Sequence, residues 1–189
     1  MTVIGITGPT GAGKTTVLKE IEALGGAVID CDAVYHEMLE SDRALQESLE
    51  RAFGPLRDGQ GAIDRKKLGA LVFGDPAKLE RLNAIAQRAT VQRTRQMVKE
   101  NRSRGIGLTA IDAFALLGTT TVAVLAPAEA RVARIMAREG ISEDYAWARV
   151  RAQRPDQFFA EGCAHILYND CGTAEEFSRK AEEFLKEIV

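Results

Sequence analysis

The chain has 189 residues, of which 46% are hydrophobic and 28% are charged, and its 25 basic residues against 27 acidic ones give a net charge of −2. This composition is typical of a folded domain, and it excludes a disordered chain, a collagen-like repeat and a disulfide miniprotein. A charge so close to zero gives no overall attraction for nucleic acid or for an anionic membrane surface, so we expect neither as a partner.

The first predicted element is a strand that leads into a phosphate-binding loop. Residues 2–7 are a short β-branched run, residues 8–15 (GPTGAGKT) match the pattern GxxxxGK[ST] in full, and apolar residues at helical spacing follow from 14 to 24. Glycines let successive backbone amides turn toward a phosphate, and the helix that follows adds its positive end. The motif therefore predicts a site for ATP.

Two residues of this loop have an expected role of their own. Lys14 is expected to reach the β- and γ-phosphates, and Thr15 to place its hydroxyl on Mg²⁺. The predicted nucleotide contacts are Gly8, Gly11, Ala12, Gly13, Lys14 and Thr15 in the loop, Thr16 directly after it, and Arg134 and Asn169 later in the chain.

A second short strand, residues 27–29, is followed by two carboxylates, Asp30 and Asp32. In an open parallel sheet, ligands bind at the carboxyl ends of the strands. We expect Asp32 to accept the proton of an attacking hydroxyl or to hold that hydroxyl in line, and Asp30 to be structural. The alternative is that Asp32 caps a helix beginning near Ala33.

A long, largely helical insertion from about residue 33 to 104 separates the second strand from the third, with turn signals at residues 54–55, 58–59 and 75–76. It predicts a small helical lobe. Its last part is locally cationic: against one acid, Glu100, it carries Arg81, Arg88, Arg93, Arg95, Lys99, Arg102 and Arg104. Two interpretations are open, a solvated helix face or a wall that faces a phosphorylated substrate.

Further apolar runs at residues 107–111, 121–125 and 164–167 alternate with helical patterns, as in a parallel sheet covered on both faces. The predicted fold class is α/β, a P-loop NTPase fold with a five-stranded parallel sheet covered by helices. Asp112 follows the third strand, where a Walker-B-type carboxylate would hold Mg²⁺ through water, so Asp112 and Asp32 are both candidates for that role.

A second helical stretch, residues 128–154, is rich in arginine and is interpreted as a mobile lid. Planar guanidinium groups suit the charge on a transferring phosphoryl group, although each arginine alone is more typical of a surface residue. They are Arg131, Arg134, Arg138, Arg149, Arg151 and Arg154. After the last strand, Asn169 is a candidate contact to an adenine edge, with a turn-forming asparagine as the alternative.

The domain prediction is one kinase domain over residues 1–189. It comprises a core of residues 1–32 and 105–189, a helical substrate lobe of about 33–104 and a lid of about 138–155. The cysteines Cys31, Cys163 and Cys171 form neither a CxxC pair nor an even disulfide framework, and no targeting segment is visible. We therefore expect reduced thiols and a cytoplasmic protein.

Six segments, taken in order along nearly the whole chain, carry a family resemblance. They read IGITGPTGAGKTTV, IDCDAVYHEML, GAIDRKKLGALVFGDPAKLERLNAI, RIMAREGIS, RVRAQ and ILYND. The first is shared by many unrelated enzymes, whereas the others in this order are far more specific. Together they resemble the dephospho-coenzyme A (dephospho-CoA) kinases.

The resemblance implies transfer of the γ-phosphoryl group of ATP to the ribose 3′-hydroxyl of dephospho-CoA, the last step of coenzyme A (CoA) synthesis. Asp32 matches the family's catalytic aspartate. Arg134 and Arg138 match its lid arginines, with Arg138 the expected phosphate contact and, beside Lys14 and Asp32, a catalytic residue. The helical insertion matches the lobe that holds the substrate.

The chain departs from the usual family pattern in two places. Gln87 and Arg88 stand where members often have His-Pro or His-Arg, and the connection at residues 114–120 is short and lacks the family's glutamate. Two other functions stay open: another small-molecule kinase of the nucleoside or nucleotide type, and a module that holds ATP or CoA without turnover.

Overall fold

The structure is a computed structural model that describes residues 1–112 and 120–189. The departure at residues 114–120 therefore lies, apart from Thr120, outside the described residues. The chain divides into two compact units, one of Met1–Ile29 with Glu100–Val189 and the other of Asp30–Lys99.

The first unit is built on a five-stranded sheet with the strand order β2-β3-β1-β4-β5. The strands are β1 (Thr2–Thr7), β2 (Ala27–Asp30), β3 (Leu108–Asp112), β4 (Thr120–Leu125) and β5 (His165–Tyr168). β1 pairs in parallel with β3 and β4, so Ile6 lies opposite Asp112 on one side and Val122 on the other. Asp112 is thus the last residue of β3 rather than the residue after it.

Helices cover both faces of this sheet. The helices of this unit are α1 (Lys14–Ala23), α6 (Ala128–Glu139), α7 (Glu143–Arg151), α8 (Asp156–Gly162) and α9 (Ala174–Ile188), of which α1, α8 and α9 pack with strand residues. Val122 and Val124 of β4 share a core cluster with residues of α1 and α9. The alternate residues of β4, Ala123 and Leu125, pack with Phe159 of α8. Alternation along the strand thus places the two clusters on opposite faces, as expected for an α/β sheet.

Helix α9 begins and packs as its sequence dictates. The side chain of Thr173 accepts from the Glu176 backbone amide, and the Glu176 side chain accepts in return from the Thr173 amide. This capping box fixes the start of the helix. Its buried stripe is Phe177, Ala181 and Leu185.

The second unit is helical. It contains α2 (Cys31–Ser41), α3 (Arg43–Phe53), α4 (Arg65–Val72) and most of α5 (Pro76–Ser103), whose last residues belong to the first unit. An aspartate precedes each helix, and its carboxylate accepts backbone amides of the first turn. These caps are Asp30, Asp42, Asp64 and Asp75. Each satisfies donors that the helix itself cannot pair.

The core of this unit is aliphatic and includes Leu39, Leu45, Leu49, Leu56 and Leu68, all at most 4% exposed.

Within residues 1–112 and 120–189, no helix has the length and apolar character that a membrane crossing requires.

Candidate active site

The phosphate loop, residues 8–15, joins the end of β1 to the start of α1 at the centre of the sheet. Gly8 has φ 145°, and a Cβ there would lie 2.1 Å from the carbonyl oxygen of Val124. Gly13 has φ 112°, and a Cβ there would lie 2.6 Å from Asn169 Nδ2 and 2.7 Å from the Phe177 ring. Only glycine fits such close approaches at positive φ, so the motif's glycines follow from the packing of β4 and α9.

Side chains from later in the chain hold three consecutive carbonyl groups of the loop. Arg131 Nε donates to the carbonyl oxygen of Thr10 at 3.0 Å, and Arg134 Nη1 to that of Gly11 at 3.2 Å. Asn169 Nδ2 donates to the carbonyl oxygen of Ala12 at 2.8 Å. In a trans peptide the N–H points opposite to the C=O. The amides of Gly11 and Gly13 are therefore turned away from these side chains.

A cleft of about 470 Å³ lies against the loop, within the first unit. Loop residues and arginines of α6 and α7 line it: Pro9, Thr10, Gly11, Gly13, Lys14, Thr15, Arg134, Arg138 and Arg149. We call this the phosphate cleft. Lys14 Nζ donates to the carbonyl oxygen of Gly8 at 2.9 Å. The cleft is thus lined by loop residues, one lysine and three arginines, a set that is suited to a polyphosphate.

Comparison with known proteins identifies the family. The family model described as dephospho-CoA kinase matches residues 2–175 of the chain. The chain belongs to the dephospho-CoA kinase family. It is therefore a phosphotransferase, and the predicted family, fold class and kinase function are confirmed.

Individual relatives agree over nearly the full length. The chain is 33% identical to a dephospho-CoA kinase of Dehalococcoides mccartyi over 179 residues, covering 90% of each chain. It is 34% identical to one of Geobacter sulfurreducens over 192 residues, covering 97% of this chain and 96% of the other. The crystal structure of TT1252 from Thermus thermophilus has a TM-score of 0.71 and 32% identity, covering 100% of this chain and 98% of that one.

The predicted lid arginines of this dephospho-CoA kinase family member fall into three groups. Arg134, Arg138 and Arg149 reach the phosphate cleft. Arg131 is only 4% exposed and packs beneath the loop, where burial lowers the pKa of its guanidinium and nearby Asp156 opposes that shift. The other two arginines lie over aromatic rings, Arg151 on Trp147 at 5.2 Å and Arg154 on Phe158 at 5.3 Å from the ring centres.

Glu139 links two of the arginines that line the cleft, Arg138 and Arg149. Its carboxylate accepts from Arg138 Nη2 at 2.6 Å and from Arg149 Nη1. The hydrogen bond from Arg138, followed by that from Arg149, holds the pKa of Glu139 below its usual value. The carboxylate of Glu139 thus pairs with two of the three arginines that line the phosphate cleft.

The side chain of Asn169 makes its hydrogen bonds within the protein. It is 3% exposed, its Nδ2 donates to Ala12, and its Oδ1 accepts from Arg134 Nη2 at 3.1 Å. Both polar ends of the side chain are engaged within the protein. The structure therefore favours a role in bracing the loop over the predicted contact with an adenine edge.

Asp30 is the last residue of β2 rather than the residue after it, and both Asp30 and Asp32 belong to the second unit. Asp30 is the N-cap of α2, since its Oδ1 accepts the amides of Asp32 at 2.9 Å and Ala33 at 3.0 Å. The helix begins at Cys31. The idea that Asp32 caps a helix starting near Ala33 is therefore wrong. Asp32 lies exposed in the first turn of α2, and its catalytic role stays a prediction.

The cationic part of α5 lines an open groove of about 750 Å³ in the second unit. Its charged lining residues are Arg88, Arg95 and Lys99, and Gln87 lies beside them. All are exposed, as a solvated face would be. Both interpretations of this face stay open.

Sequence reasoning missed two residues of the site. The sequence pattern marks Arg149 only as one predicted lid arginine among several and gives no role to Gln153. Gln153 Oε1 accepts the Thr10 amide at 2.9 Å and Arg131 Nη2 at 2.7 Å. The segment RVRAQ, which contains both, was the signal that could have found them.

Proposed function

We propose that the chain transfers the γ-phosphoryl group of ATP to the ribose 3′-hydroxyl of dephospho-CoA, giving CoA and ADP. Family membership supports both the acceptor and the reaction. The observation that supports ATP as the phosphoryl donor is the phosphate cleft, which Lys14 and three arginines line. The side chains that hold the loop carbonyl groups leave loop amides pointing the other way. We include a cytoplasmic location in this proposal.

In the proposed reaction the acceptor oxygen forms a bond to the γ-phosphorus, and the bond to the β–γ bridging oxygen breaks. Charge then spreads over the equatorial and leaving oxygens. Lys14, Arg138 and Arg149 are the cations available at the cleft to stabilise that charge, and fixed cations in a site that excludes water do so effectively. Arg138 and Arg149 would exchange Glu139 for the phosphate.

Asp32 is proposed to take the proton of the 3′-hydroxyl or to hold that hydroxyl in line. An exposed carboxylate in the first turn of a helix is available for such a role, since α2 is capped by Asp30 instead. The family resemblance supports the same assignment. The proton that leaves the hydroxyl would then reside on Asp32 until it passes to solvent.

Thr15, in the phosphate loop that follows β1, and Asp112, at the end of β3, have side chains that fit a magnesium ion. Thr15 is exposed in the first turn of α1, and Asp112 ends the strand next to β1. Hydroxyl and carboxylate oxygens are ligands that Mg²⁺ accepts, and Mg²⁺ usually takes few protein ligands beside phosphates and water. No group of three potential ligands among histidine, cysteine and acidic residues occurs in the described ranges, in keeping with such a sparse site. Bound there, Mg²⁺ supplies charge neutralisation to the phosphates.

An acceptor panel tests the proposal. ADP release is measured with ATP and either dephospho-CoA, its 3′-deoxy analogue, a nucleoside or a nucleoside monophosphate. We expect turnover with dephospho-CoA alone, and a product whose phosphate is on the 3′-oxygen. Preference for a nucleoside monophosphate would refute the acceptor, and tight ATP binding without any turnover would favour the binding module.

A further inference from the structure

The side chain of Gln153 holds the apex of the phosphate loop from outside the cleft. Gln153 lies in the connection between α7 and α8. Its Oε1 accepts the backbone amide of Thr10 at 2.9 Å, while Arg131 Nε donates to the carbonyl oxygen of Thr10 at 3.0 Å. The two side chains are joined, because Arg131 Nη2 donates to the same Oε1 at 2.7 Å. Both backbone polar groups of Thr10 are therefore fixed by one pair of side chains.

This pair depends on the glutamine oxygen. Arg131 is 4% exposed, and a buried guanidinium is tolerated only when acceptors surround it. The carboxylate near it, Asp156, is 3.5 Å away and 41% exposed, whereas Gln153 Oε1 is 2.7 Å away. Gln153 is thus the close side-chain acceptor that keeps Arg131 directed at Thr10.

The same oxygen links the loop to an arginine of the cleft. Gln153 follows Arg149 by about one helical turn, and the Gln153 amide donates to the Val150 carbonyl oxygen at 3.3 Å. The end of α7, which brings Arg149 to the phosphate cleft, is therefore tied to Thr10. A shift of this end would move the loop amides and the guanidinium relative to each other.

We propose that Gln153 is a positioning residue for ATP: through Thr10 and Arg131 it orients the loop amides, and through α7 it sets the place of Arg149. The inference rests on the proposed function insofar as the cleft is taken to bind ATP. With the Thr10 carbonyl held by Arg131, the amide of Gly11 points to the opposite side. The Gly11 amide is therefore already oriented before the phosphate binds, and such preorganisation favours ATP binding.

Two variants of the same size separate the hydrogen bonds from the packing. Gln153→Met keeps the length of the side chain but removes the oxygen, and Gln153→Glu keeps an oxygen that accepts from both donors. Gln157→Ala is the control, since Gln157 lies nearby on α8 and its side-chain amide donates to Glu161 on the exposed surface. ATP affinity is measured by calorimetric titration without acceptor, and kcat and both KM values by ADP release.

We expect Gln153→Met to weaken ATP affinity roughly 5- to 100-fold, the range for removing the shared acceptor of two partly buried hydrogen bonds, and to lower kcat. The KM for dephospho-CoA should stay within about twofold. Gln153→Glu should keep ATP affinity within about threefold, because both hydrogen bonds persist. Gln157→Ala should behave as the unaltered chain.

Unchanged ATP affinity in a folded Gln153→Met variant would overturn the proposal. So would an equal loss in Gln153→Glu, or a rise in both KM values together, since either would indicate a merely structural role. If Gln153→Met does not fold, Gln153→Ala, which also removes the oxygen, replaces it in the affinity measurement, and unchanged affinity in that variant would overturn the proposal. Because ATP binding is measured without acceptor, failure of the unaltered chain to phosphorylate dephospho-CoA would count against the proposed function and not against Gln153.

Discussion

Replacing Asn169 by alanine distinguishes a brace for the phosphate loop from a contact to the nucleotide base. The side chain is 3% exposed and makes two hydrogen bonds. One is from its Nδ2 to the carbonyl oxygen of Ala12 at 2.8 Å, and the other is from Arg134 Nη2 to its Oδ1 at 3.1 Å. Alanine removes both and leaves a buried carbonyl group with a weaker partner.

The expected loss of stability follows from these two contacts. A neutral buried hydrogen bond contributes about 0.5–1.5 kcal/mol and one from a charged donor about 1.5–3 kcal/mol. Arg134 is partly exposed, so its share belongs at the lower end. We expect the free energy of unfolding to fall by about 2–3 kcal/mol, which in a chain of this size lowers Tm by about 4–12 °C.

Thermal unfolding of Asn169→Ala, followed by circular dichroism, checks this magnitude, and Asp170→Ala is the matched control. Asp170 is the next residue, but its carboxylate lies at the surface with Lys180, so its removal should leave Tm unchanged. The bracing role also predicts weaker binding of ATP and GTP alike. An unchanged Tm together with an altered preference between ATP and GTP would refute the reasoning and restore the adenine contact.

Three other substitutions test the chemistry. Lys14→Ala should lower kcat by roughly 10²-fold or more, because a fixed cation at the developing charge is lost, while the exposed Lys19→Ala on the same helix should not. Asp32→Asn should leave ATP affinity unchanged and lower kcat by roughly 10²-fold, and unaltered turnover would move the role of base elsewhere. Glu139→Gln should lower the KM for ATP by releasing two arginines. Those arginines hold the pKa of Glu139 below its ordinary value of 4.5. The ion pairs of Glu139 with both arginines are therefore present above pH 4.5 and are lost only as pH falls through the lower pKa of the folded state. Titration of Glu139 should therefore not change the KM for ATP near neutral pH.

The elements of the fold were largely readable from local sequence. The β-branched run before GPTGAGKT is β1, and the apolar runs that follow became the other strands within one or two residues at their ends. Such runs are decisive because a strand buried on both faces must be apolar throughout. The start of α2 was misplaced because Asp30 and Asp32 are equally good capping residues, and only the end of β2 decides between them.

The nucleotide loop was predicted residue by residue, but the side chains that hold it were not. Gln153 is 143 residues from Thr10, and Asn169 is 157 residues from Ala12. Contacts between residues so far apart in the sequence depend on how α6, α7 and β5 are placed in the folded chain. No local sequence pattern predicts that placement. Arg131 shows the same limit, since its spacing with Arg134 and Arg138 predicts a common face but not which arginine becomes buried.

The dependence of the loop on Asn169 and Phe177 has a consequence for the order of events during protein synthesis. The loop leaves the ribosome before the residues that hold it, because Asn169, whose side-chain amide holds Ala12, is translated 157 residues later, and Phe177, whose ring packs on Gly13, later still. A nascent chain therefore has no finished cradle for a nucleotide until β5 and the start of α9 have emerged. Nucleotide capture is thus expected only after that point.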